Sequence, residues 1–158
     1  MEPFDYFDEM GACKSFFLLE YSEPETNSLR ILVVEGKASS QPVPIKIAGQ
    51  SMGEGFPIRI EPDSAKFELI WEQYILYQIV NESYGWSGDD PKEGLVSNLV
   101  RIYESSNLLR YVKSSTNTCD EYPGKAVHYE IVCEHHVVDV ISHVRPRCRR
   151  LGPALRIN

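Results

Sequence analysis

The sequence predicts an α+β fold, a mainly antiparallel β-sheet with one or two short helices. Three observations predict it. Apolar side chains recur with a period of two over much of the chain. The connections between those runs are too short for repeated crossover helices. The clearest helical signal is confined to residues 105–116, where a serine cap precedes an apolar stripe. A chain of 158 residues suits one core, burying about 70% of the surface of the unfolded chain. No linker or repeat divides it, so residues 1–158 are read as a single globular domain.

Pro3, Phe4, Phe7 and Met10, followed by Gly11, suit one or two helical turns with the aromatic side inward. From Cys13 the period becomes two: Ser15, Phe17, Leu19 and Tyr21 alternate with Lys14, Phe16, Leu18 and Glu20. A polar loop then leads to a second run, Leu29 to Val34, and the two read as an antiparallel pair. Val43 to Ala48 alternates but contains Pro44, which marks an edge strand or an irregular extended piece, and the glycine-rich residues 49–55 read as a flexible loop. Ile58 and Ile60 resume the alternation. Lys66 to Val80 is predicted as one long central strand, with Phe67, Leu69, Trp71, Ile75, Tyr77 and Ile79 on one side. Residues 81–94 contain too many breakers for a regular element. Leu99 to Tyr103 is strand-like, and Ser105 or Ser106 caps a helix whose stripe is Leu108, Leu109 and Val112.

The stretch from Val127 to Val144 holds all four histidines, His128, His135, His136 and His143. Read as a hairpin, it puts Tyr129, Ile131, Cys133, Val138 and Val140 on one face. His128, Glu130, Val132, Val137, Asp139, Ile141 and His143 occupy the other. A turn about His135 and His136 sets His128 opposite His143. In a helical alternative His135, Asp139 and His143 stack at intervals of four. Pro146 and Pro153 argue against a helix at the end, so residues 145–158 are read as a basic tail that is not helical and need not be regular.

The charge is −7 overall, and residues 145–158 contain five arginines and no acid, so subtracting those five positive charges leaves −12 on residues 1–144. A body that acidic repels phosphate backbones, which argues against nucleic-acid binding, and it attracts basic proteins. The tail arginines are expected to be solvated or to pair with the acidic amino terminus. No stretch approaches the roughly 20 apolar residues of a membrane span, and the acidic start lacks the features of a signal peptide. Cys13, Cys119, Cys133 and Cys148 form no Cys-x-x-Cys pair and are expected to be independent reduced thiols in a cytoplasmic protein.

Several catalytic patterns fail on context. Gly49-Gln-Ser-Met-Gly resembles the nucleophile elbow of α/β-hydrolases, but Gly53, Gly55 and Pro57 break the helix that must follow Ser51. Asp139 and His143 are also too close in sequence to complete a triad from separate loops. Cys133 falls on the apolar face and Cys119 has no evident local base, so neither reads as a nucleophile. No phosphate-cradling or dinucleotide glycine motif occurs.

Two hypotheses survive. In the first, this is a non-enzymatic acidic protein that binds, and so neutralises, a basic protein partner. Tyr84, Trp86, Asp89 and Asp90 supply aromatic anchors and complementary charge, unless Trp86 folds back over the sheet. This reading requires no cofactor. In the second, it is a metal-dependent hydrolase in which His128, Glu130 and His143 hold a divalent ion such as zinc, since imidazole nitrogens and a carboxylate are suitable ligands.

Overall fold

The computed structural model describes residues 6–85, 97 and 99–152. Helix α1 (Phe7–Ala12) is followed by β1 (Phe16–Ser22), β2 (Leu29–Glu35), β3 (Lys37–Ala38), β4 (Val43–Ile47), β5 (Gln50–Gly55), β6 (Ile58–Arg59), β7 (Lys66–Trp71) and β8 (Leu76–Asn81). After a single 3-10 turn (Glu82–Tyr84) come β9 (Val100–Tyr103), α2 (Asn107–Ser115), β10 (Val127–Val132), β11 (His136–Ser142) and β12 (Arg147–Leu151). The predicted class holds, with every strand pairing antiparallel.

Two four-stranded sheets carry the fold, in orders β1-β2-β7-β12 and β8-β11-β10-β9. Their facing sides share one apolar core. Phe16, Ile31, Val33, Phe67, Leu69 and Trp71 from the first meet Val100, Tyr129, Ile131, Val138 and Val140 from the second. Trp71 and Tyr129 join the sheets, with ring centroids 5.7 Å apart in edge-to-face contact. Helix α1 adds Phe7 and Met10 to this core, the inward pair that its spacing predicts.

The long strand predicted over Lys66 to Val80 is two strands in different sheets. Glu72 and Gln73 are exposed where the chain turns the corner. The Ser142 hydroxyl donates to the Gln73 carbonyl at 2.7 Å, and Ile75 N–H to the Ile141 carbonyl at 2.8 Å, fixing the crossing. Inward parity survives it for Trp71 on one side and Tyr77 and Ile79 on the other, which pack on the shared core, whereas Ile75, predicted on the same side, packs at the corner with the cluster of Leu109, Val112 and Ile141.

Two other expectations change. The glycine-rich segment is strand β5, closed onto β4 by a two-residue turn in which Ala48 and Gly49 have φ of 48° and 82°. Both angles lie in the left-handed region that such a turn requires. The basic tail begins with an ordered strand, β12, paired with β7 from Arg147 to Leu151. Arg147, Arg149 and Arg150 are exposed, and Cys148 among them is buried. Arg149 pairs with Glu68, and Arg150 with Glu9 of α1, so one tail arginine does meet the acidic amino-terminal segment.

Candidate functional site

The outer side of the second sheet is polar where α2 leaves it uncovered. Because residues directly opposite on adjacent strands share a face, the register aligns Gln78, Asp139, Glu130 and Arg101 in one row across β8, β11, β10 and β9. The next row is Leu76, Ile141, His128 and Tyr103. Four polar residues in a row would be costly on a buried surface unless each found a partner, and each does. Gln78 Nε2 donates to Asp139 Oδ2 at 2.8 Å, and Arg101 donates to Glu130 Oε1 at 2.7 Å. The Tyr103 hydroxyl donates to the same Glu130 oxygen at 3.3 Å.

His128 ties this row to the helix. Its Nε2 lies 3.0 Å from Asp139 Oδ1 and its Nδ1 2.9 Å from Ser106 Oγ. An ionised carboxylate only accepts, so Nε2–H donates to Asp139. The Ser106 oxygen accepts Leu109 N–H at 3.0 Å as the N-cap of α2. In the neutral ring the Ser106 hydroxyl then donates to Nδ1, which completes a chain from the helix start to Asp139 and Gln78. Tyr103 packs against the imidazole, with ring centroids 5.1 Å apart.

Helix α2 sits on this face through Leu109 and Val112, which pack with Ile141 and Ala126. Beside that contact a cavity of about 480 Å³ opens, with Gln78, His128, Glu130 and Asp139 as its polar lining and Asn107, Leu108 and Tyr111 contributed by α2. The size falls in the range of small-ligand sites. Three of its groups, His128, Glu130 and Asp139, are buried and offer ligand atoms within 4.8 Å of one another.

The chain matches no protein-family description, and neither the curated proteins nor the solved structures contain a significant match to it. Chemistry therefore has to be read from the cavity itself.

Of the residues that the sequence nominates as metal ligands, His128 and Glu130 converge and His143 does not join them. The hairpin turns one position earlier than a turn about His135 and His136 requires, which moves each partner by two, pairing Val132 with Val137 and His128 with Ile141. His143 lies beyond the end of β11, near Gly124, with Nδ1 buried and without a hydrogen-bond partner. Asp139 takes its place in the cluster. His135 is exposed at the turn and meets the Phe17 ring edge-on at 6.0 Å. Tyr84 is 82% exposed, whereas Trp86, Asp89 and Asp90 lie outside the described residues.

Ser106, His128 and Asp139 have the residue types of a hydrolytic triad, but the arrangement cannot work as one. Ser106 is fully buried and engaged in capping, and the serine sits on Nδ1 while the acid sits on Nε2, the reverse of the serine-protease order. Ser51 is exposed on β5 with no helix behind it, so the elbow reading also fails. Cys133 is buried, and burial first, with the Glu134 charge second, pushes its thiol up to about 12, far from an activated nucleophile.

Sequence reading leaves out Gln78, Arg101 and Tyr111. A polar residue between Tyr77 and Ile79 was the available signal for Gln78, but its pairing with Asp139 depends on the corner at Glu72.

Proposed function

We propose that the protein acts by binding another protein without catalysing a reaction, and that the cavity beside α2 receives a cationic side chain of a basic partner. The observation that carries this reading is the apposition of Glu130 and Asp139, two buried acids directly across from each other on the cavity lining. Like charges so placed repel; Arg101 already offsets Glu130 from one side, and a cation entering beside Asp139 offsets the remaining charge. Tyr111, 58% exposed beside the cavity, offers an aromatic face to the incoming cation. The net charge of −7 favours encounter with a basic surface. Tyr84 and the neighbouring Trp86, Asp89 and Asp90 are a second contact for the same partner. Cys13, Cys119, Cys133 and Cys148 are not joined in disulfides, which fits a reducing compartment such as the cytoplasm.

Titration of the isotope-labelled protein with acetylated arginine amide or lysine amide tests this. Shifts of the Gln78 side-chain amide and of the backbone amides around Asp139 are expected, weaker for Asp139→Asn and absent for an uncharged analogue. No shift with either cation sinks the proposal.

A second reading is favoured by the 4.8 Å convergence of His128, Glu130 and Asp139: a divalent-metal hydrolase, with Asp139 in place of His143. It needs the His128–Asp139 hydrogen bond to open, and it leaves the Arg101 guanidinium 2.7 Å from one ligand carboxylate. Stoichiometric zinc in the purified protein, lost on His128→Ala, would select this reading over the first.

A further inference from the structure

The polar row of the cavity beside α2 is built on three adjacent strands, with Gln78 on β8, Asp139 on β11 and Glu130 on β10. Part of its accepting capacity is already used. Glu130 Oε1 takes Arg101 and the Tyr103 hydroxyl, Asp139 Oδ1 takes His128, and Asp139 Oδ2 takes the Gln78 amide nitrogen. Glu130 Oε2 and Gln78 Oε1 accept nothing from the described residues. Each Asp139 oxygen also keeps a second lone pair. Glu130 is only 8% exposed, yet its Oε2 is not sealed from solvent, so this oxygen opens on the cavity that Glu130 lines. A buried carboxylate oxygen without a donor is costly, and a ligand that brings one removes that cost.

Charge sets the valence of the ligand and spacing sets its shape. Arg101, Glu130 and Asp139 together carry one formal negative charge, so a monovalent cation neutralises the row. Adjacent strands lie roughly 4.8 Å apart, so the three side chains leave backbones spread over roughly 10 Å. One ammonium nitrogen, bonding at roughly 2.9 Å, bridges acceptors at most about 6 Å apart, and so joins two neighbours in such a row. A guanidinium adds the width of its planar fork, with five N–H donors diverging in one plane.

We propose that the cavity is selective for the guanidinium of an arginine over the ammonium of a lysine, with Gln78 as the residue that sets the preference. The inference rests on the reading of this cavity as a site for a cationic side chain of a protein partner. Glu130 Oε2 and Asp139 share the charge, and Gln78 Oε1 takes the donor that an ammonium does not have to offer. Gln78 is exposed on the edge strand β8, which places the mouth of the site there, between β8 and α2. Leu108 of α2 suits the aliphatic stem of the entering arginine, and the Tyr111 ring suits its planar face.

Calorimetric titration of the full chain with acetylated arginine amide, acetylated lysine amide and free L-arginine is the test. The arginine amide should bind at least about tenfold more tightly than the lysine amide, the factor expected of one added charge-assisted hydrogen bond. Gln78→Met keeps the length of the side chain and removes its carbonyl, and should bring that ratio to about twofold or less. Tyr111→Leu should weaken arginine amide by roughly two- to fivefold. Both positions are exposed, and an unchanged thermal midpoint shows that the variants fold. Equal affinity for the two amides, or a ratio indifferent to Gln78→Met, overturns the inference while the cation site itself stands. Binding of neither amide overturns both. Free L-arginine distinguishes a metabolite from a side chain, and tighter binding of the free amino acid than of the capped residue overturns the assignment to a partner chain.

Discussion

Glu130 and Asp139 face each other directly across β10 and β11, both buried, each held from its outer side by a different donor: Arg101 for Glu130 and Gln78 for Asp139. Cross-strand acids in this position oppose pairing. Their presence together at the lining of a cavity is the observation on which the proposed cation-binding role rests.

That pair makes an asymmetric prediction. Asp139→Asn keeps an oxygen to accept from His128 while removing one charge, so stability should stay level or rise by about 0.5 kcal/mol, and arginine amide binding should fall at least about tenfold. Glu130→Gln keeps an acceptor for Arg101 but removes the charge that pairs with it, and should lower stability by about 1 kcal/mol. Urea denaturation and the amide titration on the same samples read both effects.

Ser106→Ala removes the cap of α2 and the donor to His128 Nδ1 together. A loss of about 2 kcal/mol is expected, above the roughly 1 kcal/mol of an ordinary cap, because a buried ring nitrogen is left unsatisfied. Ser106→Thr, which keeps the hydroxyl, should recover part of that loss in the same urea measurement.

Glu68 should shape the acid limb of the stability curve. Burial alone would raise its pKa, but the hydrogen bonds and charges of Arg149 and Arg30 hold it below the ordinary 4.5. A carboxylate depressed in the folded state stabilises fully above its unfolded value and loses that contribution as pH falls through its folded value. Wild-type protein should therefore lose stability below about pH 4.5, and Glu68→Gln should lose less there while being less stable at neutral pH. Denaturant midpoints across this range would show the two curves converging as pH falls. Parallel curves would remove Glu68 as the cause.

Alkylation should separate the cysteines. Burial, then Glu35 and Glu9, pushes Cys13 up to about 11, and Cys133 stands at about 12. Burial thus keeps Cys133 protonated as well as inaccessible, so iodoacetamide should label exposed Cys119 first and reach Cys133 only in denaturant. Mass spectrometry of a time course gives the order.

Much of the fold was legible along the chain. The β1–β2 pair, the Ser106 cap with its Leu108, Leu109 and Val112 stripe, and the two faces of the β10–β11 hairpin all follow from local periodicity and capping chemistry. The β4–β5 hairpin was not, because its turn is Ala48-Gly49 in place of the Asn-Gly that signals one, and glycines at 49, 53 and 55 read as a loop. The corner after Trp71 was hidden for a different reason. Apolar parity continues through it, since both sheets face the same core.

Period two determined which side of each strand is apolar, and with it placed His128, Glu130 and Asp139 on one face of the hairpin. Parity is unchanged by a shift of two residues, so it could not say whether His128 stands opposite His143 or Ile141. That choice was made by the turn at Cys133 to His135 and by the pairing of both strands with β8 and β9, contacts between residues distant in the chain. Tertiary packing alone thus decided that an aspartate, and not a fourth-position histidine, completes the cluster beside α2.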